Sequence, residues 1–181
     1  MLISPDQSLL LVVDIQDKLV PAVCQPEKLI KQTRWLVEIA ALLDVPVFAS
    51  EQYPLGLGHT VSELLEKIPA ANIVDKVHFS CAAEAGCLEP IEQQHRKQII
   101  ICGMEAHVCV LQTAIGLHQK GFDVFVIEDL ISSRSEQDKQ IAVERLRHLQ
   151  IQLVSREMVA FEWMVKSGTE VFKTISKNYL R

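Results

Sequence analysis

The sequence predicts an α/β fold, a doubly wound and mainly parallel six-stranded sheet with helices on both faces, which makes three layers. Two observations support this prediction. Short apolar runs rich in Val, Ile and Leu alternate with longer segments in which apolar residues recur at helical spacing. The short runs are apolar throughout, as is typical of parallel strands that are buried on both faces.

Six apolar runs are predicted to form the strands of this sheet. They cover residues 8–15, 46–50, 98–103, 122–128 and 151–155, with a shorter run at 72–76. Helices are predicted between them, at residues 26–43, 60–68, 85–95, 108–120 and 135–149. The last of these begins with Ser135 followed three residues later by Asp138, an arrangement that resembles a capping box. A C-terminal helix is predicted at about residues 161–180.

Length, composition and charge narrow the class of protein. A chain of 181 residues with 49% hydrophobic and 23% charged residues is expected to form a single soluble domain, residues 1–181. The net charge of −5, without a basic stripe, argues against nucleic acid as a partner. No apolar stretch reaches the roughly 20 residues of a membrane span, and the N-terminal segment lacks the features of a signal peptide. Five irregularly spaced cysteines favour reduced thiols and hence a cytoplasmic protein.

Three side chains with reactive potential lie at or after the ends of predicted strands. Asp14 closes the first strand, Lys76 closes the short run, and Cys109 follows the run at 98–103. Ligands of such sheets bind beyond the carboxyl ends of the strands, so these residues are expected to share one edge. Cys109 also lies near the start of the helix predicted at 108–120, where free N–H groups and the macrodipole lower a thiol pKa and favour the nucleophilic thiolate.

Each of these residues also has a simpler explanation. An aspartate at the end of a first strand is often a loop cap or a metal ligand, and a lysine after a short strand is usually solvated. A cysteine at a helix start is more often a small core residue. An acid, an ammonium and a thiol at the same edge are less readily explained in this way. The combination makes the chain a candidate enzyme.

The motifs around these residues resemble those of the isochorismatase-like cysteine hydrolases, which include nicotinamidases and N-carbamoyl-amidases. The resemblance is carried by the Leu-Val-Val-Asp-Ile-Gln-Asp segment at 11–17, by Lys76, and by Gly-Met-Glu-Ala-His-Val-Cys-Val at 103–110. Two other segments, Glu-Gln-Tyr-Pro at 51–54 and Ser-Ser-Arg-Ser at 132–135, look closest to the isochorismatase-domain-containing branch. The resemblance covers about residues 8–159 and implies the Rossmann-like fold of that family.

The resemblance implies a catalytic triad. Cys109 would be the nucleophile and Asp14 would accept its proton, while Lys76 lies between them. Such a triad attacks an amide-type carbonyl and cleaves the C–N bond through a thioester that water then hydrolyses. The family also has a cis peptide bond four residues before the nucleophile, here Met104–Glu105, and the N–H groups of Glu105 and Cys109 would form the oxyanion hole. True isochorismatases cleave a vinyl ether without a cysteine nucleophile, so the cysteine argues against that reaction.

No metal and no cofactor are expected. Nicotinamidases bind a divalent metal through an Asp-x-His-Pro-x-x-His segment. The equivalent segment here, residues 51–57, has Tyr53 and Leu57 at the two histidine positions, and His59 is out of register. Nicotinamide is therefore a less suitable substrate than another small amide or carbamoyl compound.

The substrate pocket is assigned by position beside the motifs, with ordinary core packing as an almost equal alternative. The expected pocket residues are Gln16, Tyr53, Leu57, Phe79 and His107. Gln16 has two other possible roles, which are to orient Asp14 or its loop, or to be a solvated residue of a turn. Arg134 lies in a serine-rich loop and would either bind a substrate carboxylate or contact another subunit. A homo-oligomer is expected by analogy with the family.

Two other functions stay open beside a hydrolase of small molecules. The chain could be a non-catalytic interaction scaffold that keeps the fold, although a scaffold has no need of a lysine beside a thiol. It could also be a redox-sensing protein in which Cys109 is oxidised reversibly. The rate at which Cys109 reacts with iodoacetamide separates an activated thiol from an inert core thiol.

Overall fold

The computed structural model describes residues 1–180 and has a six-stranded sheet at its centre. The strands are β1 Ser8–Val13, β2 Val47–Gln52, β3 Ile73–Lys76, β4 Gln98–Met104, β5 Asp123–Ser132 and β6 Gln152–Val154. They lie in the order β3-β2-β1-β4-β5-β6, and every neighbouring pair is parallel. The predicted doubly wound parallel sheet is confirmed.

Helices cover both faces of the sheet, as predicted. In the described part of the chain they are α1 Pro26–Leu42, α2 Pro54–Leu57, α3 Ser62–Leu65, α4 Ala85–Glu92, α5 Leu111–Gln119, α6 Glu136–His148, α7 Arg156–Met164 and α8 Glu170–Tyr179. The helix predicted at 60–68 is reduced to the single turn α3. None of the helices within residues 1–180 combines the length and apolarity that crossing a membrane requires.

The strands have no polar side because both faces are packed against helices. All six residues of β1 are buried, and successive side chains point to opposite faces. Leu10 and Val12 join the layer formed with α1, α3, α7 and α8, whereas Leu9 and Leu11 join the layer formed with α4, α5 and α6. This two-sided burial explains why the strand segments are apolar throughout in the sequence.

The predicted C-terminal helix at about 161–180 is replaced by two helices. The first, α7, ends at Met164, because Val165 has a φ of 62° and leaves the right-handed helical region. The second, α8, begins after Thr169, whose side chain accepts a hydrogen bond from the backbone N–H of the third helical residue. Serine, glycine and threonine at 167–169 are the sequence signal for this break.

Strand β5 continues beyond its predicted end at residue 128. Its pairing with β4 is interrupted between Ile101 and Gly103 and then resumes, with Gly103 opposite Ile131 and Met104 opposite Ser132. This continuation carries the serine-rich segment that follows β5 to the carboxyl end of β4. Two segments that are 26 residues apart in the chain, those of His107 and Ser133, are thereby brought into contact.

Candidate active site

The floor of the candidate site is a buried ion pair at the carboxyl ends of β1 and β3. Lys76, the last residue of β3, donates a hydrogen bond from Nζ to Asp14 Oδ2 at 2.7 Å, and both side chains are 0% exposed. The other carboxylate oxygen of Asp14 accepts from Ser50 Oγ at 2.6 Å. Asp14 itself has a φ of 51°, so the chain turns sharply as it leaves β1. Both oxygens of the carboxylate are therefore held in place.

The strand order explains why residues far apart in sequence meet at this point. β1 lies between β2 and β4, and the order of strands reverses there, which is where ligands of doubly wound sheets bind. Asp14 follows β1 directly, while Cys109 lies on the first turn after β4. The predicted shared edge of Asp14, Lys76 and Cys109 is present in the structure.

Cys109 lies within a π-helical turn, Ala106–Val110, that joins β4 to α5. Gly103 lies in β4 shortly before this turn. Its φ is 119°, and a Cβ there would overlap the backbone of Val13 on the adjacent strand. A glycine at this position lets β4 approach β1 closely at the site. The Cys109 side chain is nearly buried, with 7% of the residue exposed.

The Cys109 thiol faces two oxygen acceptors. Its Sγ lies 4.0 Å from Gln52 Oε1, and the Asp14 carboxylate is within hydrogen-bonding reach. Burial raises the pKa of the thiol, and the negative charge of Asp14 raises it further, while Lys76 lowers it. The low thiol pKa predicted from the helix start is therefore wrong. The physical reason is that burial outweighs the dipole of α5, which begins two residues later, at Leu111.

Burial and the opposite charge of the partner act against each other on the pKa of Lys76 and of Asp14. Burial would lower the pKa of Lys76, but the charge of Asp14 beside it raises the pKa above its ordinary value. Burial raises the pKa of Asp14, whereas Lys76 and the hydroxyl of Ser50 oppose that shift. Burial is the largest influence on Asp14 and on Cys109, and it raises the pKa of both groups.

Gln52 is a site residue that the sequence reasoning missed. Its Oε1 accepts from Lys76 Nζ at 2.6 Å, and its Nε2 donates to Val77 O at 2.8 Å. Its position as the last residue of β2 is the signal that could have identified it, because Lys76 and Gln52 are paired residues of adjacent strands.

Cys81 is a second residue near the triad that was not assigned from sequence. It is fully buried, interacts with the side chains of Cys87 and Ser50, and is among the groups that influence the Cys109 thiol. Interaction with the Cys87 side chain is the largest influence on the pKa of Cys81 and lowers it, whereas burial opposes that shift. Two thiols therefore lie near the ion pair.

Gln16 is fully buried and contacts backbone on two sides. Its Oε1 accepts from the N–H of Gln52 at 2.7 Å, and its Nε2 donates to Gln52 O at 3.1 Å and to Gly58 O at 2.6 Å. Of the roles considered for Gln16, the structure favours orientation of the loop over contact with a substrate, and complete burial contradicts a solvated turn. It clamps the end of β2 to the loop that follows α2.

A small cavity of about 300 Å³ lies at the end of β3, and of Asp14, Lys76 and Cys109 only Lys76 is in its lining. It is lined by Tyr53, Pro54, Leu55, Asp75, Lys76, Val77 and Glu84. Of the expected pocket residues, Tyr53 is in this lining and is half exposed, whereas Leu57, Phe79 and His107 are not in it. A larger cleft of about 590 Å³ on the β5–β6 side of the sheet contains none of the triad residues in its lining.

The segment after β4 forms the opposite rim of the site. The Met104–Glu105 peptide bond is cis, as the family resemblance implies. Glu105 is nearly buried, and its Oε1 accepts from Arg134 Nε at 2.6 Å. His107 Nδ1 lies 2.9 Å from Ser133 Oγ. Arg134, for which a substrate or subunit contact was expected, contacts its own chain through Glu105.

The segment that binds metal in nicotinamidases is arranged differently here. Glu51 Oε1 accepts from the N–H of Thr60 at 2.6 Å, and Oε2 lies 2.9 Å from His59 Nδ1. Both carboxylate oxygens are thus engaged within the chain. Across residues 1–180, no three or more His, Cys, Asp or Glu side chains are grouped so that they could hold a metal ion.

The family model of the isochorismatase domain matches residues 8–158 of the chain. The chain belongs to the isochorismatase family. Isochorismatase family protein 1A of Dictyostelium discoideum is 35% identical over 179 residues, which cover 96% of this chain and 86% of that protein. The secreted isochorismatase effector Isc1 of Phytophthora sojae is 37% identical over 183 residues, with coverage of 96% and 84%. The predicted family and the predicted hydrolase class are confirmed.

Solved structures of isochorismatase-like proteins superimpose closely on this chain. The MAR1 ribonuclease of Caenorhabditis elegans is 34% identical, with a TM-score of 0.91 over 100% of this chain and 93% of that one. The YcaC gene product of Escherichia coli, described as an octameric hydrolase of unknown specificity, gives a TM-score of 0.92 at 24% identity, with coverage of 99% and 91%. The YcaC likeness supports the fold alone.

Proposed function

We propose that this isochorismatase-family protein is a cysteine hydrolase that cleaves a small amide or carbamoyl C–N bond through a thioester on Cys109. The observation that carries the proposal is the buried Asp14–Lys76 pair beside a thiol. A buried carboxylate next to a thiol is suited to accept its proton during attack, and the lysine keeps that carboxylate oriented. The triad roles assigned to these residues are part of the proposal.

The reaction begins when Cys109 Sγ attacks the substrate carbonyl carbon and its proton passes to Asp14. The oxyanion would be bound by the N–H groups of Glu105 and Cys109. Collapse of the tetrahedral intermediate breaks the C–N bond, and Asp14 returns the proton to the leaving nitrogen. Water then attacks the thioester carbonyl and gives a proton to Asp14. The C–S bond breaks, Asp14 passes that proton to the departing sulfur, and the acid is released with the thiol and the carboxylate restored. Lys76 stays an ammonium throughout.

The size and surface of the cavity beside Lys76 favour a small substrate. About 300 Å³ is at the lower end of the range for small-molecule sites. Tyr53, Leu55 and Val77 give its rim an apolar and exposed character. A compact amide with an apolar group suits this cavity.

We also propose that the protein forms a homo-oligomer, as the YcaC gene product of Escherichia coli is described as octameric. Light scattering of the purified chain tests this point directly. All five cysteines are free, which suits a reducing compartment such as the cytoplasm. The Phytophthora sojae relative is described as secreted, so localisation of a tagged chain is the appropriate test.

The deciding experiment is turnover of a panel of small amides and carbamoyl compounds by the protein and by Cys109→Ala. Loss of the nucleophile is expected to reduce turnover by at least roughly 10³-fold. Cys24→Ala, a cysteine outside the triad, is the matched control and is expected to retain activity. Unchanged turnover in Cys109→Ala contradicts the thioester mechanism.

A single-stranded RNA belongs in the same panel because the Caenorhabditis elegans structure is named a ribonuclease. The net charge of −5 makes RNA the less suitable substrate for this chain. RNA cleavage that persists in Cys109→Ala would overturn the proposal. Absence of turnover for every compound in the panel would favour the scaffold. Reversible oxidation of the thiol without hydrolysis would favour the redox sensor.

A further inference from the structure

We propose that Gln52 is a positioning residue that fixes the Lys76 ammonium beside Asp14 and keeps the Cys109 thiol protonated until substrate binds. The inference rests on the proposed cysteine hydrolase function, since a proton held on sulfur at rest matters only if attack later moves it. Gln52 lies at the end of β2 and is 8% exposed.

Lys76 Nζ has two hydrogen-bond acceptors in the site, and one of them is Gln52. A lysine ammonium carries three N–H donors, and burial of any of them without an acceptor is costly. Lys76 Nζ uses one donor on Asp14 Oδ2, at 2.7 Å, and a second on Gln52 Oε1, at 2.6 Å. Two short bonds from different strands fix the nitrogen more firmly than the ion pair alone.

The side-chain amide of Gln52 is held in one orientation. Nε2 of Gln52 donates to Val77 O at 2.8 Å, which places Oε1 at the end that meets the ammonium. The reversed amide would set an NH₂ group against an ammonium, donor against donor, and would leave the Val77 carbonyl facing an oxygen. The backbone of Gln52 is held as well, because its N–H and C=O both bond to the Gln16 side chain.

The same amide oxygen of Gln52 also faces the sulfur of Cys109. Gln52 Oε1 is the negative end of the amide dipole and lies 4.0 Å from Cys109 Sγ, so it can accept the thiol proton but repels a thiolate. The titratable groups around the sulfur are Asp14, Lys76 and Cys81. By occupying the ammonium, Gln52 also limits the stabilisation that Lys76 offers to a thiolate. A neutral thiol is less open to oxidation than a thiolate.

The test measures the pH dependence of iodoacetamide alkylation at Cys109, followed by mass spectrometry, in the full-length protein. Gln52→Leu removes the acceptor and frees the ammonium, so the apparent pKa of Cys109 is expected to fall by roughly half to one unit. Gln52→Glu keeps an acceptor for Lys76 but adds a negative charge near the sulfur. The apparent pKa is then expected to rise by about one unit or more.

The matched control is Gln98→Leu. Gln98 is also a buried glutamine, but it lies at the amino end of β4, where it bonds to the backbone of Leu2 and Ser4. Its loss is expected to lower stability without moving the alkylation profile. For any amide that the protein hydrolyses, Gln52→Leu is expected to lower kcat on the order of 10²-fold and to leave KM unchanged, because the ammonium is misplaced.

Opposite shifts in the two Gln52 variants support the proposal, because a loss of packing would move both profiles in the same direction. Unchanged profiles, shifts of the same sign, or an equal shift in Gln98→Leu overturn it. If Gln52→Leu does not fold, Gln52→Glu decides, and an unshifted profile in that variant overturns the proposal. Opposite shifts in a protein that hydrolyses no amide support the placement of Gln52 and contradict the hydrolase function instead.

Discussion

Two ion pairs of almost equal length occupy contrasting regions of the molecule. Lys76 Nζ lies 2.7 Å from Asp14 Oδ2 on the floor of the site, with both side chains 0% exposed. Arg147 Nη2 on α6 lies 2.9 Å from Glu128 Oε2 on β5, and the two side chains are 57% and 45% exposed. The first pair is surrounded by protein groups, whereas water solvates both members of the second.

Burial, and not the distance between charges, determines how strongly the two members of an ion pair depend on each other. At the exposed pair, water screens each charge and removal of either partner leaves little behind. At the buried pair, each charge depends on the other, and removal of one leaves an uncompensated charge in protein. The same burial raises the pKa of the neighbouring Cys109 thiol. Each member of the Asp14–Lys76 pair therefore needs its partner, whereas water can replace the partner at the Arg147–Glu128 pair.

The largest expected effect is that of Lys76→Met on stability. The substitution keeps the volume of the side chain but leaves Asp14 buried without its cation, so the free energy of unfolding is expected to fall by about 3–5 kcal/mol. Urea denaturation of the two proteins measures this change. A loss below about 1 kcal/mol would mean that Asp14 is already protonated at rest and would remove the contrast between the two regions.

The next effect concerns the charge of Asp14 on the thiol. Asp14→Asn removes the anion that raises the pKa of Cys109 and leaves Lys76 beside the sulfur, so that pKa is expected to fall by more than about one unit. The pH dependence of alkylation at Cys109 measures the shift. Asp75→Asn, an exposed aspartate one residue before Lys76, is the control and should leave the profile in place. An unshifted Asp14→Asn profile would show that the thiol does not sense this carboxylate.

A third prediction concerns the pH profile of hydrolysis. Asp14 must be ionised to accept the thiol proton, and burial raises its pKa above the ordinary 3.8, so kcat/KM should fall as the pH drops through a value above 3.8. Lys76 has a pKa raised above 10.5, so no loss from this residue is expected below that pH. Initial rates between about pH 3 and pH 10 test the profile. A loss of rate that sets in only below pH 3.8 would contradict the raised pKa.

The smallest effect is expected at the exposed pair. Arg147→Met should change the free energy of unfolding by less than about 1 kcal/mol and leave alkylation of Cys109 as it is. Urea denaturation alongside Lys76→Met provides the direct comparison. If both variants lose the same stability, then burial does not distinguish the two pairs.

Much of the fold could be predicted from the sequence because its signals are local. Continuous apolar runs marked the strands, and the structure has a strand at each of them. Asp14 and Lys76 could be placed at one edge because each ends or follows such a run, and parallel strands share their carboxyl edge. The cis bond at Met104–Glu105 followed from the family motif and is present.

Other features could not be predicted because they depend on contacts between distant segments. The extension of β5 follows from its renewed pairing with β4 beyond Gly103. The role of Gln52 depends on Lys76, which is 24 residues away in the chain, reaching its amide oxygen. The end of α7 at Met164 is a local exception that the serine, glycine and threonine at 167–169 could have indicated.

The sequence by itself determined the family and the parallel sheet, and it indicated that Asp14, Lys76 and Cys109 share one edge, because strand patterning and motif spacing can be read along the chain. The tertiary structure alone decided the state of those residues. It buries Cys109 against Asp14, so that the thiol pKa rises where the helix start predicted a fall. Burial is the sum of contacts from β1, β2, β3 and β4, and the free energy of a charge depends on all of them at once.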